Sequence, residues 1–228
     1  MDLELSYFLS EIVANRGMLL QGAWTTVSVS ALAIASGTLL GMLIGLALAY
    51  ASAPLRWPAR LYVDLIRGTP VLVLVLATYY MSTPLGLPLT PFQAGAVALC
   101  LFCASHVAEI WRGALQALPI GQLEAGRAIG LTFPRICLYV LFPQAMRLAM
   151  PTWVTAAAEM VKASTLLSVI GVAELLLTSQ QIISNNFLNL QFYFLAGAIY
   201  FAINFCIDML GKYLSRHLEG AGKPRSPV

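Results

Sequence analysis

The first chemistry this sequence offers is a pair of ionisable residues inside an apolar stretch. Glu159 and Lys162 lie in Thr152-Trp153-Val154-Thr155-Ala156-Ala157-Ala158-Glu159-Met160-Val161-Lys162. An ionised side chain at mid-helix in a membrane costs about 2.5–3.5 kcal/mol on insertion scales, so it faces a pathway or a partner. Three roles are open to Glu159: an internal pair with Lys162, contact with the amine of a zwitterionic or cationic cargo, or contact across a subunit interface. His106 and Glu109 stand on adjoining turns, with Cys100 and Cys103 nearby at i, i+3. That set falls short of an intramembrane enzyme, because the other histidine, His217, is remote in sequence and no metal-ligand set or nucleophile elbow accompanies it. The two cysteines read as small packing residues in a helix interface. Asp64 and Arg67, like Glu109 and Arg112, are spaced to neutralise each other along one helix. No G-x-x-x-x-G-K-[ST] phosphate loop occurs, so the chain is expected to bind no ATP of its own.

The elements that must position these residues are membrane helices. Of 228 residues, 59% are hydrophobic and 10% charged, and the mean hydropathy is +0.80. Soluble domains carry roughly a quarter charged residues. Residues 17–55, 68–108 and 175–207 contain no Asp, Glu, Lys or Arg, and about 20 apolar residues cross the hydrocarbon core. Pro84, Gly86, Pro88 and Pro91 divide the second run. The reading is one all-α, polytopic membrane domain over 1–228, with about five transmembrane helices near 22–52, 60–82, 92–115, 150–167 and 190–212. A polar interfacial lead-in precedes the first. Gly37, Gly41 and Gly45 give that first helix a small-residue face suited to close packing within the chain.

Eleven of the thirteen basic residues fall on one side of this topology, leaving only Arg16 and Lys162 elsewhere. Lys and Arg accumulate in cytoplasmic loops, which puts the N-terminus outside and the C-terminus in the cytosol. The net charge of +3 follows from that asymmetry and implies no nucleic-acid partner. Asp2, Glu4 and Glu11 precede the first apolar span, unlike the basic start of a cleavable signal. On the opposite face, Gln180, Gln181, Asn185, Asn186 and Asn189 form a neutral polar loop that either receives a binding protein or is simply solvated.

The expected cytosolic segment 116–149 contains Glu124-Ala125-Gly126, three residues, Gly130, nine residues, then Val140-Leu141-Phe142-Pro143. Residues 118–129 suit a short surface helix: Pro119 is tolerated in its first turn and Gly130 is placed to end it in the left-handed conformation. This pattern resembles the coupling loop of ABC-importer permeases, with Gly126, Val140 and Phe142 departing from the usual residues. Further matches are Gly22-Ala23-Trp24-Thr25-Thr26-Val27-Ser28-Val29-Ser30, Arg67-Gly68-Thr69-Pro70, Ala108-Glu109-Ile110-Trp111-Arg112-Gly113, Pro143-Gln144-Ala145-Met146-Arg147 and Ser168-Val169-Ile170-Gly171-Val172-Ala173-Glu174-Leu175. Together they resemble the permease subunits of binding-protein-dependent ABC importers for polar amino acids. His106 stands where an aromatic is usual, and Ala163 where a polar residue is frequent.

The resemblance implies a type I importer transmembrane domain in the bacterial inner membrane, carrying a polar amino acid or an opine. It implies Glu124, Ala125, Gly126, Gly130 and Pro143 as ATPase-coupling residues, with Glu159, Lys162 and His106 as candidates along the substrate pathway. The implied partners are two ATPase subunits that bind the ATP, a second permease subunit (identical or paralogous) and an extracytoplasmic substrate-binding protein. No enzyme activity, cofactor or metal is expected. The alternative is an ion-coupled secondary carrier.

Overall fold

A computed structural model describes residues 2–220 of the chain. Its elements in order are α1 (Asp2–Ala14), α2 (Arg16–Tyr50), α3 (Ala53–Gly68), α4 (Val71–Ser82), α5 (Pro91–Gln116), α6 (Ile120–Ala128), α7 (Phe133–Ile136), a π turn (Cys137–Leu141), α8 (Phe142–Ala163), a 3₁₀ segment (Ser164–Ile170), α9 (Leu175–Asn186) and α10 (Asn189–Gly220). No strand occurs among the described residues. Lys223 and Arg225, counted above with the cytosolic charges, lie outside them.

Among the described residues, four helical stretches are long and apolar enough to cross a membrane: Arg16–Tyr50, Pro91–Gln116, Phe133–Ile170 and Asn189–His217. A fifth candidate is α3 with α4, a pair interrupted at Thr69-Pro70. Pro70 has φ −56° and ψ 135°, so it leaves the helical region and opens α4 as its N-cap. Where sequence reading saw one span at 60–82, the structure has two helices. The helix entering the fourth span starts at Phe133, inside the segment read as a loop. Its π turn ends two residues before Pro143, whose ring would crowd the carbonyl four residues back, at Tyr139 within the turn. Widening the turn by one residue relieves that crowding.

The chain forms two compact units. Among the described residues, the first comprises 2–35, 69–101 and 159–205, and the second 36–68, 102–158 and 206–220. In the first, Val29, Val75, Leu99 and Leu167 centre one apolar cluster, and Leu175, Ile182 and Phe192 a second. In the second unit, Trp111, Ile136, Leu141 and Ala145 form one cluster and Leu48, Val63 and Ala108 another. There α2 lies hard against α5. A Cβ at Gly41 would stand 2.7 Å from the Ala104 carbonyl oxygen, and one at Gly45 would stand 2.6 Å from that of Ala108. This is the close small-residue packing expected of the Gly37/Gly41/Gly45 face, seen at Gly41 and Gly45.

Candidate coupling segment and pathway residues

Helix α6 begins at Pro119, an extended N-cap with ψ 133° whose carbonyl accepts from the Gln122 N–H. It ends at Gly130, where φ is +78°. The Gly130 N–H donates to the Arg127 carbonyl and the Leu131 N–H reaches back to that of Gly126. These two bonds are a Schellman closure, which needs a left-handed residue at Gly130. The apolar residue following it, Leu131, packs with Leu123 on the cluster around Ile136.

Glu124, Ala125, Arg127 and Ala128 are exposed on α6, and Ile120 and Ile129 at its two ends are 74% and 76% exposed. Gly126 is buried instead. A Cβ there would come within 2.8 Å of Ile136 Cγ1, so the missing side chain serves the fit of α6 on the chain's own α7. Pro143 is exposed in the first turn of α8. Beside it, Gln144 Nε2 donates to the Val140 carbonyl at 2.8 Å and to Gln122 Oε1 at 3.2 Å. This clip ties the start of α8 to α6. Sequence reading gave Gln144 no role, because a single amide pair separated by 22 positions leaves no periodic signal.

Along α8, Thr152, Thr155, Glu159 and Lys162 are exposed, while Ala156, Ala157, Met160 and Val161 are buried. Spacings of three and four put the exposed set on one face. Among the described residues, neither Glu159 nor Lys162 has an ion-pair partner. An unpaired acid and base on an exposed helix face cannot rest in hydrocarbon and call for water or a further chain. His106 is half-buried on α5. Its Nδ1 lies 3.0 Å from the Phe102 carbonyl, which can only accept, and 3.3 Å from Ser105 Oγ. The Phe102 ring packs on the imidazole at 4.4 Å.

The ion pairs follow a different pattern from the expected one. Glu109 Oε2 accepts from Arg112 Nη2 at 2.7 Å, as the spacing suggested, but Glu109 Oε1 also takes Arg60 Nη1 at 2.9 Å. Asp64 pairs with Arg60 at 3.0 Å, one turn before it, in place of Arg67.

Glu174 is the buried acid that sequence reading passed over. It is fully buried as the N-cap of α9, accepting from the N–H groups of Leu176 (3.0 Å) and Leu177 (2.8 Å). The Tyr200 hydroxyl donates to it as well, and Thr26 Oγ1 accepts from the Leu175 N–H at 3.1 Å. Burial pushes the Glu174 carboxyl above its ordinary value, opposed by those donors. Tyr200 and Thr26 are far from it in sequence, and Glu is not among the residue types that mark an N-cap, so neither its burial nor its cap was legible. Among the described residues, no three His, Cys, Asp or Glu side chains come together as metal ligands.

Residues 37–220 match the family model of the binding-protein-dependent transport system inner membrane component. The chain is 33% identical over 184 residues to the probable amino-acid ABC transporter permease protein YckA of Bacillus subtilis (strain 168), covering 81% of each. It is 32% identical over 209 residues to the glutamine transport system permease protein GlnP of Escherichia coli (strain K12), covering 89% of this chain and 93% of that one. Among solved structures, that of an amino acid ABC transporter with histidines superposes with a TM-score of 0.82 at 33% identity, over 92% of this chain and 98% of that chain.

Proposed function

We propose, from the premise that this chain belongs to the family of binding-protein-dependent transport system inner membrane components, that it carries a polar amino acid or amino-acid derivative through the membrane as the permease of an ABC importer. The observation that carries this reading is the family match over 37–220, which takes in the coupling segment and every pathway candidate. The names of the relatives support amino acids as the cargo class, with cationic amino acids and opines included because Glu159 is an acid.

In this reading two ATPase subunits dock on α6. Ile120, Glu124, Ala125 and Ile129 supply the contact, while Gly126 and Gly130 shape the helix and its exit, and Pro143 with Gln144 passes its displacement to α8. ATP is bound only by those partners. A second permease subunit, identical or paralogous, faces the polar row of α8, so that Glu159, Lys162 and Thr155 border a shared aqueous path. His106 is a second polar group for the cargo. An extracytoplasmic binding protein delivers cargo at the neutral 180–189 segment. The N-terminus is outside and the C-terminus in the cytosol.

Reconstitution tests the reading. Proteoliposomes holding the permease with its cognate ATPase, supplied with binding protein and no ion gradient, should accumulate amino acid only when ATP is enclosed on the ATPase side. Uptake driven by a sodium or proton gradient without the ATPase would instead establish the ion-coupled carrier.

A further inference from the structure

We propose that a pocket at the foot of α3, lined by Leu48, Arg56, Trp57, Arg60, Arg112 and Gln116, binds the phosphate of an anionic phospholipid of the cytoplasmic leaflet. The leaflet assignment rests on the orientation given above; the phosphate chemistry does not.

Helix α3 presents three rows. Ala59 and Val63 turn inward onto Leu48 and Ala108. Trp57, Leu61 and Leu65, four apart, are 73%, 49% and 60% exposed. Arg56 and Arg60, also four apart and exposed, run beside that apolar row. An exposed apolar ridge flanked by arginines, with an aromatic at its rim, is how a helix sits in a membrane interface. Water alone would leave the Trp57–Leu65 ridge without a cover.

The pocket, about 290 Å³, lies beside that ridge and is lined by three guanidiniums. Two are already fixed: Glu109 bridges Arg60 (2.9 Å) and Arg112 (2.7 Å), Asp64 holds Arg60 Nε (3.0 Å), and Arg112 donates to Gln116. The carboxylates stop these arginines repelling each other and set their planes, yet each guanidinium carries five N–H groups and keeps some unused. Arg56 has no ion-pair or side-chain hydrogen-bond partner among the described residues. Three cations against two carboxylates leave one positive charge, the complement of a phosphodiester. Arginine suits that anion because its planar fork matches two phosphate oxygens, and basic pockets between helices on the cytoplasmic side are the places where anionic headgroups lodge. Trp57 would lie at the level of the headgroup and glycerol, its ring against the start of the acyl chains.

Native mass spectrometry of the assembled permease–ATPase complex tests this, with phosphatidylglycerol or phosphatidylcholine of identical chains added in detergent. Wild type should retain phosphatidylglycerol about fivefold better, Arg56→Gln should lose about that factor, as expected for one surface cation near an anionic lipid, and Arg56→Lys should keep only part of it, because an ammonium has the charge without the planar fork. Because Arg56 is exposed and unpartnered, its variants should elute and melt like wild type. Equal retention of the two lipids, or a preference untouched by Arg56→Gln, overturns the site. Displacement of the lipid by millimolar inorganic phosphate also overturns it, in favour of a free-anion site. Loss of ATPase from Arg56→Gln with lipid preference intact assigns the patch to protein docking instead. Sidedness is read separately, from a single cysteine at Ser52 in a background without native cysteines. Its labelling by an impermeant reagent from outside would overturn the leaflet and the topology while leaving the detergent preference as measured.

Discussion

At the scale of single residues, two acids decide different properties. Glu159 is exposed and has no ion-pair partner among the described residues, and the function proposed above has its charge meet the cargo. Replacement by Gln keeps the shape and removes the charge; uptake of a cationic amino acid should fall more than about tenfold, equivalent to about 1.4 kcal/mol, with the complex still assembled. A double-mutant cycle with Lys162→Gln separates the alternatives. Poor assembly of Glu159→Gln, rescued by neutralising Lys162, would restore the internal pair. Glu174 is buried, and its work is structural. Glu174→Ala removes the cap of α9 and strands two N–H groups and the Tyr200 hydroxyl, which should destabilise the fold by more than about 2 kcal/mol. The sign of its pH effect follows from the raised carboxyl value. The folded protein holds this proton more tightly than the unfolded chain, so its contribution is complete below the ordinary carboxylate value and is lost as pH rises through the raised one. Thermal melts of wild type should show that loss on going from acid to neutral pH. Glu174→Gln, permanently neutral, should lack it.

At the scale of elements, the coupling segment depends on how α6 ends. A β-branched residue at Gly130 would have to adopt φ +78°, at a cost of about 1–3 kcal/mol. Gly130→Val should therefore uncouple ATP hydrolysis from uptake while membrane insertion survives. A normal ratio of hydrolysis to transport would remove the docking role from this turn. Much of this element was legible beforehand, since a proline, a short helical run and a glycine at fixed spacing mark a surface helix and its stop. The interior use of Gly126 was not legible, because its neighbour Ile136 lies across a turn that sequence periodicity does not register. The same limit applies to the break at Thr69-Pro70, where an uncharged run reads as continuous although Pro70 lacks the N–H to continue it. Arg60 was missed as the partner of Glu109 for a related reason, since spacing along one helix identifies neighbours on that helix only; its pairing with Asp64, at i, i+4 on α3, was legible but competes with the equally well spaced Arg67.

At the scale of the whole molecule, the question is which face of the membrane each loop meets. Hydrophobic runs separated by basic loops established the span number to within one, because composition and the asymmetry of arginine act over the entire chain and do not depend on any particular contact. The α3–α4 pair makes the topology testable. If α3 and α4 together make one crossing, the chain crosses five times and its ends lie on opposite sides. If the break at Thr69-Pro70 returns the chain to the side it came from, only the four long stretches cross and the loop after α4 lies on the same side as the loop before α3. Thr83, directly after α4, and Ser184, in α9, are both exposed. In cells whose native cysteines are removed, single cysteines at both positions should react with an impermeant thiol reagent from outside, whereas one at Ser52 should react only after the membrane is opened. Two crossings, α5 and Phe133–Ile170, separate Thr83 from Ser184 in either case. The pair must therefore share a side, and Ser52 alone reports whether α3–α4 crosses. Labelling of all three from outside would reduce the chain to four crossings and place α3, with its arginines, on the outer face.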